Sequence, residues 1–248
     1  GRLSADRQRS GAGQGRGPAR ARQCDVTITM VETTAQTEEV LLGRDGILAG
    51  ASPGHVVAMM STIDPNAATR CHQRLAAAGI AMLDAPVSGG SARAQSGELA
   101  VIAGGDAAAF ARCRAVFAAM STNQFHVGGS GQGLALKLVN NMLIQVNTVA
   151  IAEAFVMGAK AGLKPETMYE VIRVSTGASF ALDYRLPRML AGDFKPGGTV
   201  DISYKDQELE TAFAKSLGMP LFLANVSQQV YQMARAAGLA GAEIARRR

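Results

Sequence analysis

The stretch HVVAMMSTIDPNAATRCHQRLAAAGIAMLDAPV (residues 55–87) decides the fold, because it reads as a strand, a helix and a second strand in close succession. Its two ends are near-continuous apolar runs, which are typical of strands that are buried on both faces. Between them, Asp64 can cap a helix that has Pro65 in its first position, and Gly79 can end that helix. The stretch therefore predicts a βαβ unit with parallel strands.

The same alternation continues on both sides of this unit. Upstream, DVTITMV (residues 25–31) predicts a strand, and Thr33 or Thr34 can cap the helix that follows it. Downstream, LAVIAGG (residues 99–105) predicts another strand, Asp106 can cap the next helix, and a further short strand follows. We therefore expect an α/β fold with an incomplete Rossmann-type parallel sheet, whose ligands lie beyond the carboxyl ends of the strands.

Beyond residue 133 the strand patterns stop and the sequence becomes all-helical. The segment LALKLVNNMLIQVNTVAIAEAFVMGAKAG (residues 134–162) is apolar on nearly all sides, which predicts a long, buried central helix. We accordingly divide the chain into a disordered Arg/Gly-rich tail (1–23), a partial dinucleotide-binding domain (24–131) and a helical substrate or dimerisation domain (132–245).

Composition excludes several classes of protein. The net charge of +5 on 248 residues comes from arginines at the two ends of the chain, so it is a weak signal for nucleic-acid binding. Polar residues interrupt the apolar segments, and we predict no membrane association. Three widely separated cysteines and the lack of a secretory signal predict a cytoplasmic protein.

The glycine-rich stretch GAGQGRGP (residues 11–18) fails the spacing of a dinucleotide-binding turn. Counted from Gly11 the third required glycine is Arg16, and counted from Gly13 it is Pro18. No apolar strand precedes the stretch, so we interpret it as solvated chain. The sequence thus lacks the turn that holds a pyrophosphate, as a truncated or frame-shifted reading of a normal gene would.

Three groups of polar residues stand where a hydrophobic core does not need them. Ser88 and the glycines after it follow a strand and can bind an anion such as a carboxylate, or form an ordinary tight turn. Lys137 and Asn141 share one helix face, where the lysine is either a buried general acid or base or a side chain that snorkels to solvent. Lys205 and Asp206 are most simply a solvated charge pair.

Five motifs in register resemble the β-hydroxyacid dehydrogenase family: MSTI (60–63), LDAPVSGG (83–90), GELAVIAGG (97–105), GSGQGLALKLVNN (129–141) and DISYKD (201–206). The resemblance implies a Rossmann-type domain and a helical domain joined by a long helix. It further implies that the chain transfers a hydride between NAD or NADP and a small 3-hydroxy acid, similar to 3-hydroxyisobutyrate, and that it forms a homodimer or homotetramer.

The resemblance also implies roles for particular residues. Ser88, Gly89 and Gly90 would hold the substrate carboxylate, Lys137 would be the catalytic general acid and base on the substrate hydroxyl, and Asn141 would orient the substrate.

On the cofactor side, Thr62 would lie against the nicotinamide end and Lys205 would reach the cofactor from the helical domain. Val31 and Glu32 would also face the cofactor, although many members have Leu-Pro there. Because the pyrophosphate turn is missing, a catalytically silent carboxylate-binding or dimerisation module stays open as the alternative, and nucleic-acid binding through the tail is a distant third.

Overall fold

The computed structural model describes residues 21–193 and 198–241, in two compact units that divide between Lys137 and Leu138. The stretch GAGQGRGP and nearly all of the predicted tail lie outside the described residues, as does the end of the predicted helical domain. The first unit holds the sheet and the second is helical, so the predicted α/β class with a helical C-terminal region is confirmed.

The first unit is built on a six-stranded sheet in the order β1-β2-β3-β5-β4, with β6 beside β5. Strands β1, β2 and β3 pair in parallel, as the βαβ pattern predicts. The strands are β1 Val26–Thr29, β2 Val56–Met59, β3 Ala81–Asp84, β4 Val87–Ser88, β5 Ala100–Gly105 and β6 Asn123–Gly128.

The sheet is mixed rather than wholly parallel. Strand β5 runs antiparallel to β3, with Leu83 opposite Gly105 and Asp84 opposite Gly104, and β6 runs parallel to β5. The link between β3 and β5 contains β4, which pairs antiparallel with β5, and a helix of 7 residues, Gly90–Ser96. The predicted parallel sheet is therefore confirmed for β1, β2 and β3, whereas β5 departs from it by running antiparallel to β3, and the carboxyl ends of β3 and β5 meet.

The helices of this unit begin where their caps predict. Thr33 forms a capping box with Gln36, Asp64 accepts a hydrogen bond from the amide of Asn66, and Asp106 Oδ1 accepts one from Ala109 N at 2.8 Å. The helices are α1 Thr34–Leu42, α2 Pro65–Ala76, α3 Gly90–Ser96 and α4 Ala107–Ala118, with a 3₁₀ turn at Ile47–Ala49.

Strand β2 lies at the centre of the core because its side chains alternate between two hydrophobic clusters. Val57 and Met59 pack in one cluster with Leu75 of α2. Val56 and Ala58 pack in the other cluster, which includes residues of α4. The sheet is thus covered on both faces, which explains the near-continuous apolar run of this strand in the sequence.

Within the described residues five helices follow, of which the first, α5 Gln132–Lys160, spans the boundary between the units. The others are α6 Pro165–Ile172, α7 Phe180–Leu190, α8 Val200–Ser216 and α9 Phe222–Ala236. Phe155 of α5 packs with Met168 of α6 and with Leu182 and Leu186 of α7 in the core of the helical unit.

The prediction that α5 is a buried helix was wrong for this single chain. Large apolar side chains along it are exposed, among them Leu143 and Met157, of which Met157 is 71% exposed. By length and hydropathy alone α5 could cross a membrane, and 17% of its most apolar stretch is buried. An all-round apolar helix needs partners on every side, and the sequence alone did not indicate whether those partners lie within the chain.

Candidate functional site

Asp84, at the carboxyl end of β3, binds the start of α5. Its Oδ1 accepts a hydrogen bond from Gly131 N at 2.8 Å, and its Oδ2 accepts one from Leu134 N at 2.9 Å. The side chain is 1% exposed. Burial raises the pKa of this carboxyl, and the bonds from the α5 amides partly offset that increase. The first turn of α5 therefore receives its cap from a residue 47 positions earlier in the chain.

Two glycines allow α5 to approach the sheet this closely. A Cβ on Gly133 would overlap the carbonyl oxygen of Asp84 and stand 2.6 Å from that of Ile102. A Cβ on Gly104 would stand 2.7 Å from Gly133 N and 2.8 Å from Asp84 Oδ1. Three of the motifs that carry the family resemblance thus meet around Asp84, which the sequence interpretation did not assign to the site.

The turn after β4 requires its glycines. Gly89 has a φ of 132° and Gly90 a φ of 68°, which are backbone conformations that residues with a Cβ rarely adopt. Ser88 ends β4 and α3 begins at Gly90. The geometry suits both a tight turn and exposed amides that bind an anion, so both interpretations of this turn remain.

Lys137 lies on α5, one turn beyond Leu134, whose amide Asp84 binds. Its side chain is 9% exposed, so the buried alternative describes it better than a snorkelling lysine does. A buried lysine requires polar partners or a lowered pKa, and a proton-transfer role would require the same conditions.

In the helical unit, Asp206 joins two of the residues predicted for the site. Its Oδ2 accepts a hydrogen bond from Asn141 Nδ2 at 2.8 Å, and its Oδ1 lies 3.0 Å from Lys205 Nζ. Asp206 is 6% exposed, so the interpretation of Lys205 and Asp206 as a solvated pair was wrong. The buried Asp206 carboxylate instead accepts a hydrogen bond from Asn141 and forms an ion pair with Lys205.

The loops that follow the parallel strands β1 and β2 are bonded to each other. Val31 N donates to the hydroxyl of buried Ser61 at 2.8 Å. Thr62 follows Ser61 and is half-buried, whereas Glu32 is exposed. The carboxyl ends of two parallel strands therefore bring three of the predicted cofactor residues to one edge of the sheet.

The ring of each histidine bonds to a backbone carbonyl oxygen. The ring of His55 bonds to Thr27 Oγ1 and to the Cys24 carbonyl, and that of His126 bonds to the Gly105 carbonyl. Cys24, Cys71 and Cys113 are not paired in disulfides, and no group of metal-ligating side chains occurs within the ranges that the structure describes.

Two family sequence models match the chain. The NAD binding domain of 6-phosphogluconate dehydrogenase matches residues 9–128, which begins inside the segment interpreted as a tail. The model described as NAD-binding of NADP-dependent 3-hydroxyisobutyrate dehydrogenase matches residues 131–246. The two matches meet near the start of α5.

Several similar proteins are named as dehydrogenases. An L-threonate dehydrogenase of Cupriavidus necator is 39% identical over 220 residues, which are 88% of this chain and 74% of that protein. A 2-(hydroxymethyl)glutarate dehydrogenase of Eubacterium barkeri is 35% identical over 87% of this chain and 72% of that protein. A solved 3-hydroxyisobutyrate dehydrogenase of Mycobacterium tuberculosis, described with L-serine, aligns with a TM-score of 0.85 at 32% identity, over 92% of this chain and 79% of that one.

Proposed function

Because the chain belongs to the 3-hydroxyisobutyrate dehydrogenase family of β-hydroxyacid dehydrogenases, we propose that it oxidises a small 3-hydroxy acid, with NAD or NADP as the hydride acceptor. One observation carries the proposal: Asp84 binds the helix that bears Lys137 to the strand that leads into the Ser88 turn. A candidate proton acceptor and a candidate carboxylate-binding turn are thereby held within one compact unit.

The names of the similar proteins support this substrate class. L-threonate, 2-(hydroxymethyl)glutarate, L-serine and 3-hydroxyisobutyrate differ in their substituents. All four carry a hydroxyl group on the carbon β to a carboxylate. A site that binds the carboxylate and transfers a proton at the β-hydroxyl could act on all four acids. The fit of their other substituents would then determine which acid is the preferred substrate.

The residues at the sheet edge fit the nicotinamide half of NAD or NADP. Val31 and Ser61 are bonded across the carboxyl ends of β1 and β2, which is where an open α/β sheet binds such a ligand. Beside them, the buried hydroxyl of Thr29 has no hydrogen-bond partner among the described residues. Val31, Glu32 and Thr62 would contact the cofactor at this edge, and Lys205 is the fourth residue that we propose to bind it.

In the mechanism we propose, the chain positions the substrate and moves the proton. Ser88 and the amides of Gly89 and Gly90 bind the carboxylate, and the Asn141 amide orients the substrate. Neutral Lys137 Nζ accepts the hydroxyl proton during oxidation, and the protonated amine returns it during reduction. NAD or NADP, when bound at the sheet edge, would supply the hydride-accepting chemistry.

We propose further that the chain is a cytoplasmic homodimer or homotetramer. Exposed apolar residues along α5, such as Leu143 and Met157, would be covered by a second copy of the chain rather than by lipid. Three cysteines without a disulfide among them suit a reducing compartment.

The test is turnover of a panel of the four acids with NAD and with NADP, followed by the absorbance of the reduced nicotinamide. We expect at least one acid to be oxidised, and Lys137→Ala to reduce turnover by about 100-fold or more. Lys160→Ala is the matched control, because Lys160 is exposed on the same helix, and it should change turnover less than twofold.

Turnover that survives Lys137→Ala would contradict the role of Lys137. Calorimetric binding of a 3-hydroxy acid with no turnover of any acid would contradict the enzymatic proposal. That outcome would favour the alternative of a catalytically silent carboxylate-binding module.

A further inference from the structure

We propose that Asp84 is a positioning residue for proton transfer: its carboxylate fixes the first turn of α5 and thereby sets the position and the charge environment of Lys137. This inference rests on the proposed function, because Asp84 would act by positioning Lys137, the proposed base of that reaction. In this proposal Asp84 contacts neither the substrate nor the cofactor.

Asp84 is connected both to the proposed carboxylate-binding turn and to the proposed base. Along the chain, it precedes Ser88 by four residues in the segment that leads into the turn. Through its side chain, it bonds Leu134 N, and Lys137 follows three residues later on the same helix. Because α5 rises about 1.5 Å per residue, the bound amide and Lys137 are separated by about 4.5 Å along the helix axis.

Both oxygens of Asp84 accept hydrogen bonds, which only a carboxylate can do without leaving a donor unpaired. The positive end of the α5 dipole also favours a negative charge at this place. In Asp84→Asn one amide oxygen remains, and the new NH₂ group would face either Gly131 N or Leu134 N. One buried N–H would then lose its acceptor, and the first turn of α5 would shift or fray.

Gly104 and Gly133 make the coupling stiff. Backbone approaches backbone at these glycines with no intervening side chain, so α5 can hardly slide without losing the bonds to Asp84. A displacement of about 1 Å in a catalytic group can reduce a rate by about 100-fold. The change of a residue that touches no reactant should therefore appear in kcat.

The experiment measures Lys137 directly in the full chain. Reductive ¹³C-methylation labels the six lysines of the sequence, and Lys137→Arg identifies the Lys137 signal by its loss. We expect Asp84→Asn to lower the midpoint at which the Lys137 signal titrates by about half a pH unit or more, because a nearby negative charge favours the ammonium form. Hydrogen exchange at the amides of Gly131 and Leu134 should become faster, and kcat should decrease about 100-fold with less than a threefold change in KM.

Asp106→Asn is the matched control. Asp106 caps α4 with a bond of the same length, and α4 carries none of the proposed site residues. This variant should leave the Lys137 titration and kcat unchanged. If Asp84→Asn does not fold, the wild-type chain provides the test, because the amide signals of Gly131 and Leu134 and the Lys137 signal should then move together as Asp84 is titrated with acid.

An unchanged Lys137 titration in folded Asp84→Asn, or independent movement of the signals in the wild type, would overturn the role of Asp84. This result is distinguishable from failure of the proposed function. If the wild type oxidises no acid, the function fails while the titration still tests Asp84; if Asp84→Asn keeps the wild-type kcat, the positioning role fails and the function stands.

Discussion

Glu210 on α8 is a buried carboxylic acid whose charge the folded chain suppresses. It is 4% exposed, and burial followed by the nearby carboxylate of Asp206 raises its pKa to about 9, although the Gln145 side chain partly offsets the increase. The ordinary glutamate pKa is 4.5. At a pH between these two pKa values, Glu210 is protonated in the folded chain and ionised in the unfolded chain. The free energy of unfolding must therefore decrease as the pH rises.

The magnitude follows from this difference in protonation. Each pH unit between the two pKa values removes about 1.36 kcal/mol of stability, so the cost of Glu210 is about 3 kcal/mol at pH 7. Glu210→Gln keeps the shape of the side chain and has no proton to release. We therefore expect this variant to be about 3 kcal/mol more stable than the wild type at pH 7 and within about 1 kcal/mol of it at pH 5.

The assay is urea unfolding of both chains from pH 5 to pH 8, followed by circular dichroism of the helices. Glu208→Gln is the matched control, because Glu208 is exposed on the same helix, and it should give a small difference that does not change with pH. Groups common to both chains cancel in the comparison. A difference between Glu210→Gln and the wild type that stays constant over this range would refute the argument.

The fold and the proposed assembly give three further predictions. Gly133→Ala should lose about 1–3 kcal/mol of stability through overlap with the Asp84 and Ile102 carbonyls, whereas Gly129→Ala, where the added Cβ meets nothing within 4 Å, should be nearly neutral in urea unfolding. Asp106→Ala removes the α4 cap and should lower the free energy of unfolding by about 1 kcal/mol, whereas Asp106→Asn should keep most of that stability. Equal losses for the two variants in thermal unfolding would contradict the capping role. Met157→Glu should convert the proposed homodimer or homotetramer to smaller species in sedimentation velocity while Lys160→Glu does not, and a monomeric wild type would contradict the assembly.

Local signals in the sequence predicted the helix starts and the parallel part of the sheet. Thr33, Asp64 and Asp106 act through amides two or three residues away, so their spacing alone is informative. The run from residue 55 to residue 87 has the length of a complete βαβ unit, which fixes the direction of its strands. The reversal at β5 depends instead on how the link after β3 folds, and its apolar pattern is the same for either direction.

The candidate site was only partly predictable, because two carboxylates act over long separations. Asp84 was visible only as a polar residue at a strand end, since its partners Gly131 and Leu134 lie 47 and 50 residues away. Asp206 stood beside Lys205 and looked like half of a surface pair. A carboxylate that follows a buried strand, or that lies within an apolar helix face, is the signal that could have identified each of them.

The most direct test of the central claim follows the hydride itself. A 3-hydroxy acid labelled with deuterium on its hydroxyl-bearing carbon is incubated with the chain and oxidised NAD or NADP, and the reduced nicotinamide is analysed by mass spectrometry. We predict one deuterium atom in each reduced nicotinamide with the wild type and with Lys160→Ala, and about 100-fold slower transfer with Lys137→Ala. Reduced nicotinamide without deuterium, or transfer by Lys137→Ala at the wild-type rate, would contradict the claim.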